Sequence, residues 1–509
     1  MADEPRFLIG HDVGTGGTKS VLADPAGRLL ASAFNPYPTS YPKPTWVEQE
    51  SEDWWRAACA GTHEVLEKAS VVPEEVAGMG FAGQMCGVVP VNASGTLTRM
   101  PIIWLDSRAD EQARRMIRRF GGPGLMNIVA GAVPTGKDVV CEINWVEENE
   151  PEVYERTAKF LDVTGYLVLK ATGKMVIDHT GAGGTGLLDG KTRQWSKLLA
   201  RLVRVSLEKL PDVKGSTEIV GGLTKSAASE MGLRAGTPVI AGMADIPAAA
   251  TGSGALGDGD AHIYLGTSSW LCLSVEKPEN LGRYGIAAVA SPDPAMMTMI
   301  GESETAGMCL EWFAENFATA EELACDNVFG LFDEAAARVE PGSRKLIFFP
   351  WLFGERSPVG DTTLRSSFAN ITLEHTRDHM LRAVYEGVAY NIRWLLDAAA
   401  SKGFACDPLR AIGGGAKSDL WMQVIADVTG RKVEPVEEPG DAGGIGCALA
   451  VAVALGMFDD YKDIKEVVKV RQVFEPRLEL FAMYDELYES FRAHYPALSK
   501  MGKRLNRTS

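Results

Sequence analysis

Residues 9–32, IGHDVGTGGTKSVLADPAGRLLAS, pass from an apolar run through a burst of glycine and threonine into a second apolar run. Phe7–Val13 reads as a buried strand, Lys19–Ala23 as its return, Asp24–Gly27 as a turn and Arg28–Phe34 as a third strand. In the first turn Gly14, Gly16 and Gly17 let the backbone approach phosphate oxygens, and Thr15 adds a hydroxyl. Asp12 repels phosphate directly, so a carboxylate there makes sense through Mg2+, held through water, with Lys19 offsetting negative charge. The loop is not a Walker loop, because Thr18 rather than glycine precedes Lys19. Nor is it a dinucleotide turn, because Lys19 stands where the third glycine belongs and a strand follows. Taken alone, the motif is equally compatible with a plain glycine-rich β-turn carrying a surface aspartate.

The pattern recurs at 261–276, AHIYLGTSSWLCLSVE, where Gly266-Thr267-Ser268-Ser269 aligns with Gly14-Thr15-Gly16-Gly17. Two such hairpins predict two related domains, 1–256 and 257–509, divided near the glycine-rich 251–260. Residues 51–69 read as a helix with Ser51 as its N-cap, and 76–83 as a further strand, which predicts α/β domains with a mixed sheet. Helical patterns follow at 375–400, 418–430 and 477–495. A chain of 509 residues with 46% hydrophobic and 23% charged residues fits a soluble multi-domain protein, and a net charge of −16 argues against nucleic acid or membrane surfaces as partners. The eight cysteines form no CxxC pair, the N-terminus has no signal-peptide pattern, and 442–458 is too short and glycine-rich for a membrane span, so a cytoplasmic location is expected. Literal GxGxxG matches at Gly181–Gly186 and Gly252–Gly257 are read as chance.

Asp12-Val13-Gly14-Thr15 together with Gly266-Thr267-Ser268 resembles the paired phosphate loops of the actin, Hsp70 and sugar-kinase superfamily. Within it the chain is similar, over nearly its whole length, to the FGGY carbohydrate kinases of xylulokinase type. The matching segments are FAGQMCG (81–87), IIWLDSR (102–108), GERSP (354–358), 366–388 and GGGAKSDLWMQVIADVTG (413–430). This resemblance implies two ribonuclease-H-like domains with a catalytic cleft between them, and ATP-dependent phosphorylation of a ketose or polyol hydroxyl, with D-xylulose to D-xylulose 5-phosphate as the leading reaction. It makes Asp245, in VIAGMADIPAAATGSGA (239–255), the general base, which suits a hydroxyl that must lose its proton to attack a phosphoryl group. Without the resemblance, Asp245 is better read as a helix N-cap. ATP is expected at Thr15, Gly16, Gly17, Lys19, Gly266, Thr267, Gly307, Gly414, Gly415 and Ser418, with Mg2+ at Asp12. The acceptor is expected at Gln84, Met85, Cys86, Asp106 and Asp245, and Trp104 is either its apolar surface or a core residue.

Three departures concern the acceptor, and a fourth lies in the C-terminal signature. Cys86 replaces a histidine, Ile246-Pro247 replace an asparagine and a small residue, and Glu142 stands where lysine is frequent; Asn370 replaces a glycine in the C-terminal signature. Another ketose, an alditol or a sugar acid therefore remains open as acceptor, as does a catalytically weak sensor on the same fold. An NAD-linked oxidoreductase is disfavoured by the missing Rossmann context. His375 and His379 have metal-ligand spacing without the glutamate of HExxH, so zinc is not expected. A homodimer is compatible with all of these readings.

Overall fold

In the computed structural model, which describes residues 6–122, 124, 126 and 133–506, the return strand begins earlier than predicted. β1 (Phe7–Val13) and β2 (Gly17–Ala23) pair antiparallel with Asp12 opposite Lys19, and β3 (Leu29–Pro36) extends the ladder. Gly17 is therefore a strand residue as well as a loop residue. A β-carbon there would lie 2.7 Å from the Phe34 ring and 2.8 Å from the Asn35 carbonyl, so close packing accounts for this glycine. α1 (Ser51–Ala69) packs on β2 and β3. Its N-cap is Glu50, whose carboxylate faces the Glu52 N–H at 3.5 Å, and not Ser51, which is the first helical residue.

β4 (Val76–Gly83) lies parallel to β1 on the side away from β2. Beyond it come α2 (Val163–Thr172), the short α3 (His179–Gly184), β5 (Ile219–Gly222), β6 (Pro238–Ile240), β7 (Met243–Ala244) and α4 (Asp245–Ser253). The sheet order is β5-β6-β4-β1-β2-β3, with β7 also pairing β4. The apolar stretch at 239 onward is broken by Gly242 at φ +84°, so β7 is a separate two-residue strand.

The second sheet contains β8 (Ala261–Leu265), β9 (Ser269–Val275), β10 (Ile286–Ala290) and β11 (Met297–Ser303). α5 (Gly307–Phe317) and α6 (Arg377–Ala400) precede β12 (Leu409–Ile412), α7 (Asp419–Thr429) and β13 (Val433–Pro435). Its order is β10-β11-β9-β8-β12-β13, with β8 antiparallel to β9 and parallel to β12. The opening hairpin with a parallel strand on its other side is thus common to both sheets. The chain ends in α8 (Ala442–Ala454) and α9 (Phe481–Leu505), the latter starting four residues later than predicted, after a 3-10 turn. Asn370 has φ +68°, a left-handed conformation that asparagine tolerates better than most residues, and its Nδ2 donates to the Lys345 carbonyl at 3.0 Å.

Two compact units result: residues 1–256, 289–297 and 441–468 in one, and the remainder in the other. The expected division at 256/257 is interrupted, because α8 belongs to the first unit. Its composition explains how. A β-carbon on Gly252 would stand 1.8 Å from the Ala442 carbonyl oxygen, one on Gly446 2.0 Å from that of Ala248, and one on Gly10 2.1 Å from that of Gly444. Bare glycine faces let α8 lie directly on β1 and α4, and the 252 glycine of the second GxGxxG match serves this packing. No helix among the described residues is long and apolar enough to cross a membrane. Gly252→Ala is expected to lower the unfolding free energy by about 2–3 kcal/mol in denaturant titration, since backbone on both sides must move.

Candidate functional site

Three parallel strands of the first unit end at one level. Val13 of β1 and Ala244 of β7 both lie opposite Gly83 of β4. The chain therefore leaves the carboxyl ends of β1, β4 and β7 side by side, delivering the Gly14–Gly16 turn, then Gln84-Met85-Cys86, then Asp245. In sheets of this kind ligands bind beyond those ends.

The turn is braced from several directions. The Gly14 N–H donates to the Gly17 carbonyl at 3.1 Å, and Tyr37 Oη donates to the Gly14 carbonyl at 2.5 Å. Gln49 Nε2 donates to the Thr15 carbonyl at 2.7 Å, and Trp104 Nε1 to Thr15 Oγ1 at 2.9 Å. Gln84 is buried, donating from its backbone to the Val13 carbonyl at 3.0 Å and from Nε2 to Gln49 Oε1 at 2.7 Å. Gly16 is exposed with open space around it. Tyr37 and Gln49, which belong to no motif, escaped the sequence reading.

Burial raises the Asp12 carboxyl to about 6, Lys19 opposing the rise and Asp441 adding to it. Lys19 Nζ lies 3.9 Å from Asp441 Oδ1, the residue that precedes α8. A carboxylate made costly to ionise, with a second one nearby, is a donor set that a hard divalent cation suits.

Beyond the end of β4 Met85 and Cys86 are half-buried, and Cys86 has φ +60°, left-handed for a residue with a side chain. Trp104 is half-buried, its N–H spent on Thr15. Asp106 faces into the protein. It has no exposure, and its oxygens accept from the Val47 N–H at 2.6 Å and from Arg108 Nε at 3.0 and 2.9 Å. Arg108 also reaches Glu48 at 2.8 Å, so charge-assisted bonds hold Asp106 in the wall. Glu142 is likewise fully buried, and burial, with Asp106 nearby, raises its carboxyl well above the usual range, Arg108 opposing the rise. Asp245 is the first residue of α4, whose N-cap is Ala244; it is half-buried, and its Oδ1 accepts from the Ile246 N–H at 2.9 Å.

Behind this edge Asp162 caps α2 through the Gly165 N–H at 2.7 Å, and Asp178 caps α3 through the Thr180 and Gly181 N–H groups at 2.7 and 3.3 Å. A β-carbon on Gly181 would lie 2.2 Å from Asp162 Oδ2 and 3.1 Å from Asp178 Oδ2. The first GxGxxG match therefore begins inside a helix, where two buried carboxyls leave no room for a side chain. Burial raises both acids, and the Asp178 charge raises Asp162 further.

In the second unit the Gly266-Thr267 turn sits against the start of α5. The Gly307 N–H donates to the Gly266 carbonyl at 2.8 Å, and the Ala306 and Met308 N–H groups donate to that of Thr267 at 2.9 and 3.1 Å. β-Carbons on Gly413 and Gly415 would collide with Leu265 at the end of β8, whereas Gly414 is exposed over open space. Gly266, Thr267, Gly307, Gly414 and Gly415 are thereby gathered at one sheet edge. Ser418 caps α7, its Oγ accepting from the Trp421 N–H at 3.0 Å. Tyr264 and Trp270 stack at 3.8 Å beside the turn, a pairing the sequence reading missed. His379 caps α6 through Thr376, and no group of three or more metal-binding His, Cys, Asp or Glu residues occurs among the described residues.

Residues 7–252 match the N-terminal domain, and residues 261–455 the C-terminal domain, of the FGGY family of carbohydrate kinases. The chain belongs to that family. ATP is thus the co-substrate of this FGGY kinase and a carbohydrate its acceptor. It is 29% identical to a xylulose kinase of Bacillus subtilis over 96% of this chain and 97% of that protein. It is 25% identical to a gluconokinase of the same organism, over 91% and 90%. Its fold matches a solved xylulose kinase from Rhodospirillum rubrum with a TM-score of 0.86 at 27% identity, over 98% and 100% of the two chains.

Trp104→Phe removes the bond to Thr15 together with part of the indole, so Tm should fall in thermal scans by the equivalent of about 1 kcal/mol or more. The Asp162–Asp178 pair, raised in the folded state, confers stability that is greatest in acid and is lost as pH rises toward neutrality and the pair ionises. Asp162→Asn should remove the Asp162 part and leave that of Asp178, making the fall of Tm shallower between about pH 4 and about pH 7 in thermal scans.

Proposed function

We propose that this FGGY kinase transfers the γ-phosphoryl group of ATP to a hydroxyl of a ketose, with D-xylulose, giving D-xylulose 5-phosphate, as the leading acceptor. The observation that carries the reading is the register of β1, β4 and β7, which brings the first phosphate turn, Gln84-Met85-Cys86 and Asp245 to one edge. In this reading Asp245 accepts the proton of the attacking hydroxyl. Met85, Cys86 and Trp104 bound the acceptor, while Gln84 and Asp106 act from within the wall, fixing the turn and the 104–108 segment. Thr15 and Gly16 meet the transferred phosphate, with Gly17 and Lys19 behind them. Gly266, Thr267, Gly307, Gly414 and Gly415 hold the nucleotide, and Ser418 shapes their helix. Asp12 would hold Mg2+ through water; the ion, when bound, neutralises charge on the phosphate oxygens.

The preference for xylulose leans on relatives of that name at 27–29% identity. Cys86 and Ile246 favour a second reading, in which a different ketose, an alditol or a sugar acid is preferred, because each removes a polar group from the acceptor side. ATP consumption measured across pentuloses, hexuloses, alditols and aldonates separates the two: D-xylulose giving the highest kcat/KM supports the first, and turnover only with another class replaces it. Asp245→Asn should lower kcat by about a hundredfold to ten-thousandfold while ATP still binds, and undiminished turnover would remove Asp245 as the base.

A further inference from the structure

We propose that Thr180, on α3, is a positioning residue for Asp245, its hydroxyl clamping the Met243–Ala244 peptide group, one residue before the base. This rests on the reading of Asp245 as general base. β7 is only two residues long, so its ladder to β4 is short, yet it must hold the first residue of α4 in register with Gln84. Two buried threonine hydroxyls supply what the ladder lacks. The Ala244 N–H donates to Thr180 Oγ1 at 2.7 Å, and Thr164 Oγ1, on α2, donates to the Met243 carbonyl at 3.0 Å. Both bonds fall on one peptide group, Met243–Ala244, which is thus gripped from both neighbouring helices.

The Thr180 hydroxyl is itself oriented. It donates to Asp178 Oδ1 at 2.5 Å, which leaves its lone pairs for the Ala244 N–H. Asp178 is fixed in turn by the Thr180 and Gly181 N–H groups and by Ser216 Oγ at 3.2 Å. Asp162 Oδ2 and Asp178 Oδ2 stand on the same side of Gly181, 2.2 and 3.1 Å from where a β-carbon would lie, so the two carboxyls crowd one another. A chain of fixed groups runs from the carboxyl pair through one hydroxyl to the backbone N–H adjoining Asp245. A proton acceptor must lie within hydrogen-bond reach of the attacking hydroxyl, and small displacements of it cost rate while leaving affinity nearly intact.

Steady-state kinetics with Mg-ATP and D-xylulose, or the acceptor that the screen identifies, test this with Thr180→Val, Thr180→Ser and Asp178→Asn. Thr180→Val is expected to lose about tenfold or more in kcat with both KM values within about threefold, and Thr180→Ser to recover most of it. A kcat within about twofold of wild type in folded Thr180→Val, or Thr180→Ser as impaired as Thr180→Val, overturns the proposal. If Thr180→Val does not fold, Asp178→Asn decides: lowered kcat at unchanged KM supports the clamp, and unchanged kcat overturns it. Asp245→Asn measured in parallel keeps the two ideas apart. Wild-type turnover there ends the reading of Asp245, whereas its loss beside an intact Thr180→Val ends only the clamp.

Discussion

The constraint on which the first unit depends is the register of one parallel triplet. Val13, Gly83 and Ala244 stand at the same level, so three segments separated by 70 or more residues in sequence leave the sheet together. A slip of one residue in any strand would turn its side chains to the other face and move its loop by more than 3 Å. Much of the buried polar chemistry in this unit maintains that register. Gln84 ties the end of β4 to the end of β1, and Gln49 and Trp104 tie both to the wall of the unit.

Close packing does the same work with apolar groups. α8 rests on β1 and α4 through glycine faces, which brings Asp441 and the start of that helix beside Asp12 and Lys19. A segment more than 400 residues downstream thereby completes the surroundings of the Gly14–Gly16 turn. The cost is sensitivity, since backbone-to-backbone contact leaves no side chain to adjust.

Much of this was legible in the sequence. The hairpin at 7–23, its repeat at 261–275, α1, α7 and the buried character of α8 follow from apolar periodicity and turn residues, which act over a few positions. Glu50 rather than Ser51 caps α1, because a cap is fixed by which backbone N–H remains free and a one-residue shift carries no compositional signal. The burial of Asp106 beside Arg108 cannot be read from WLDSR. Thr180, Gln49 and Tyr37 gave no signal, since a hydroxyl or amide belongs to no pattern until its partner is known.

By itself, then, the sequence determined the local hairpins, the glycine turns and the membership of the FGGY kinases, because these depend on residue types at fixed short spacings. The tertiary structure decided that Asp106 is bonded to Val47 and Arg108, that 441–468 joins the first unit, and that Asp245 follows a strand end level with Gly83. Those outcomes depend on strand register and on contacts between distant segments, where an aspartate binds substrate or arginine according to what faces it.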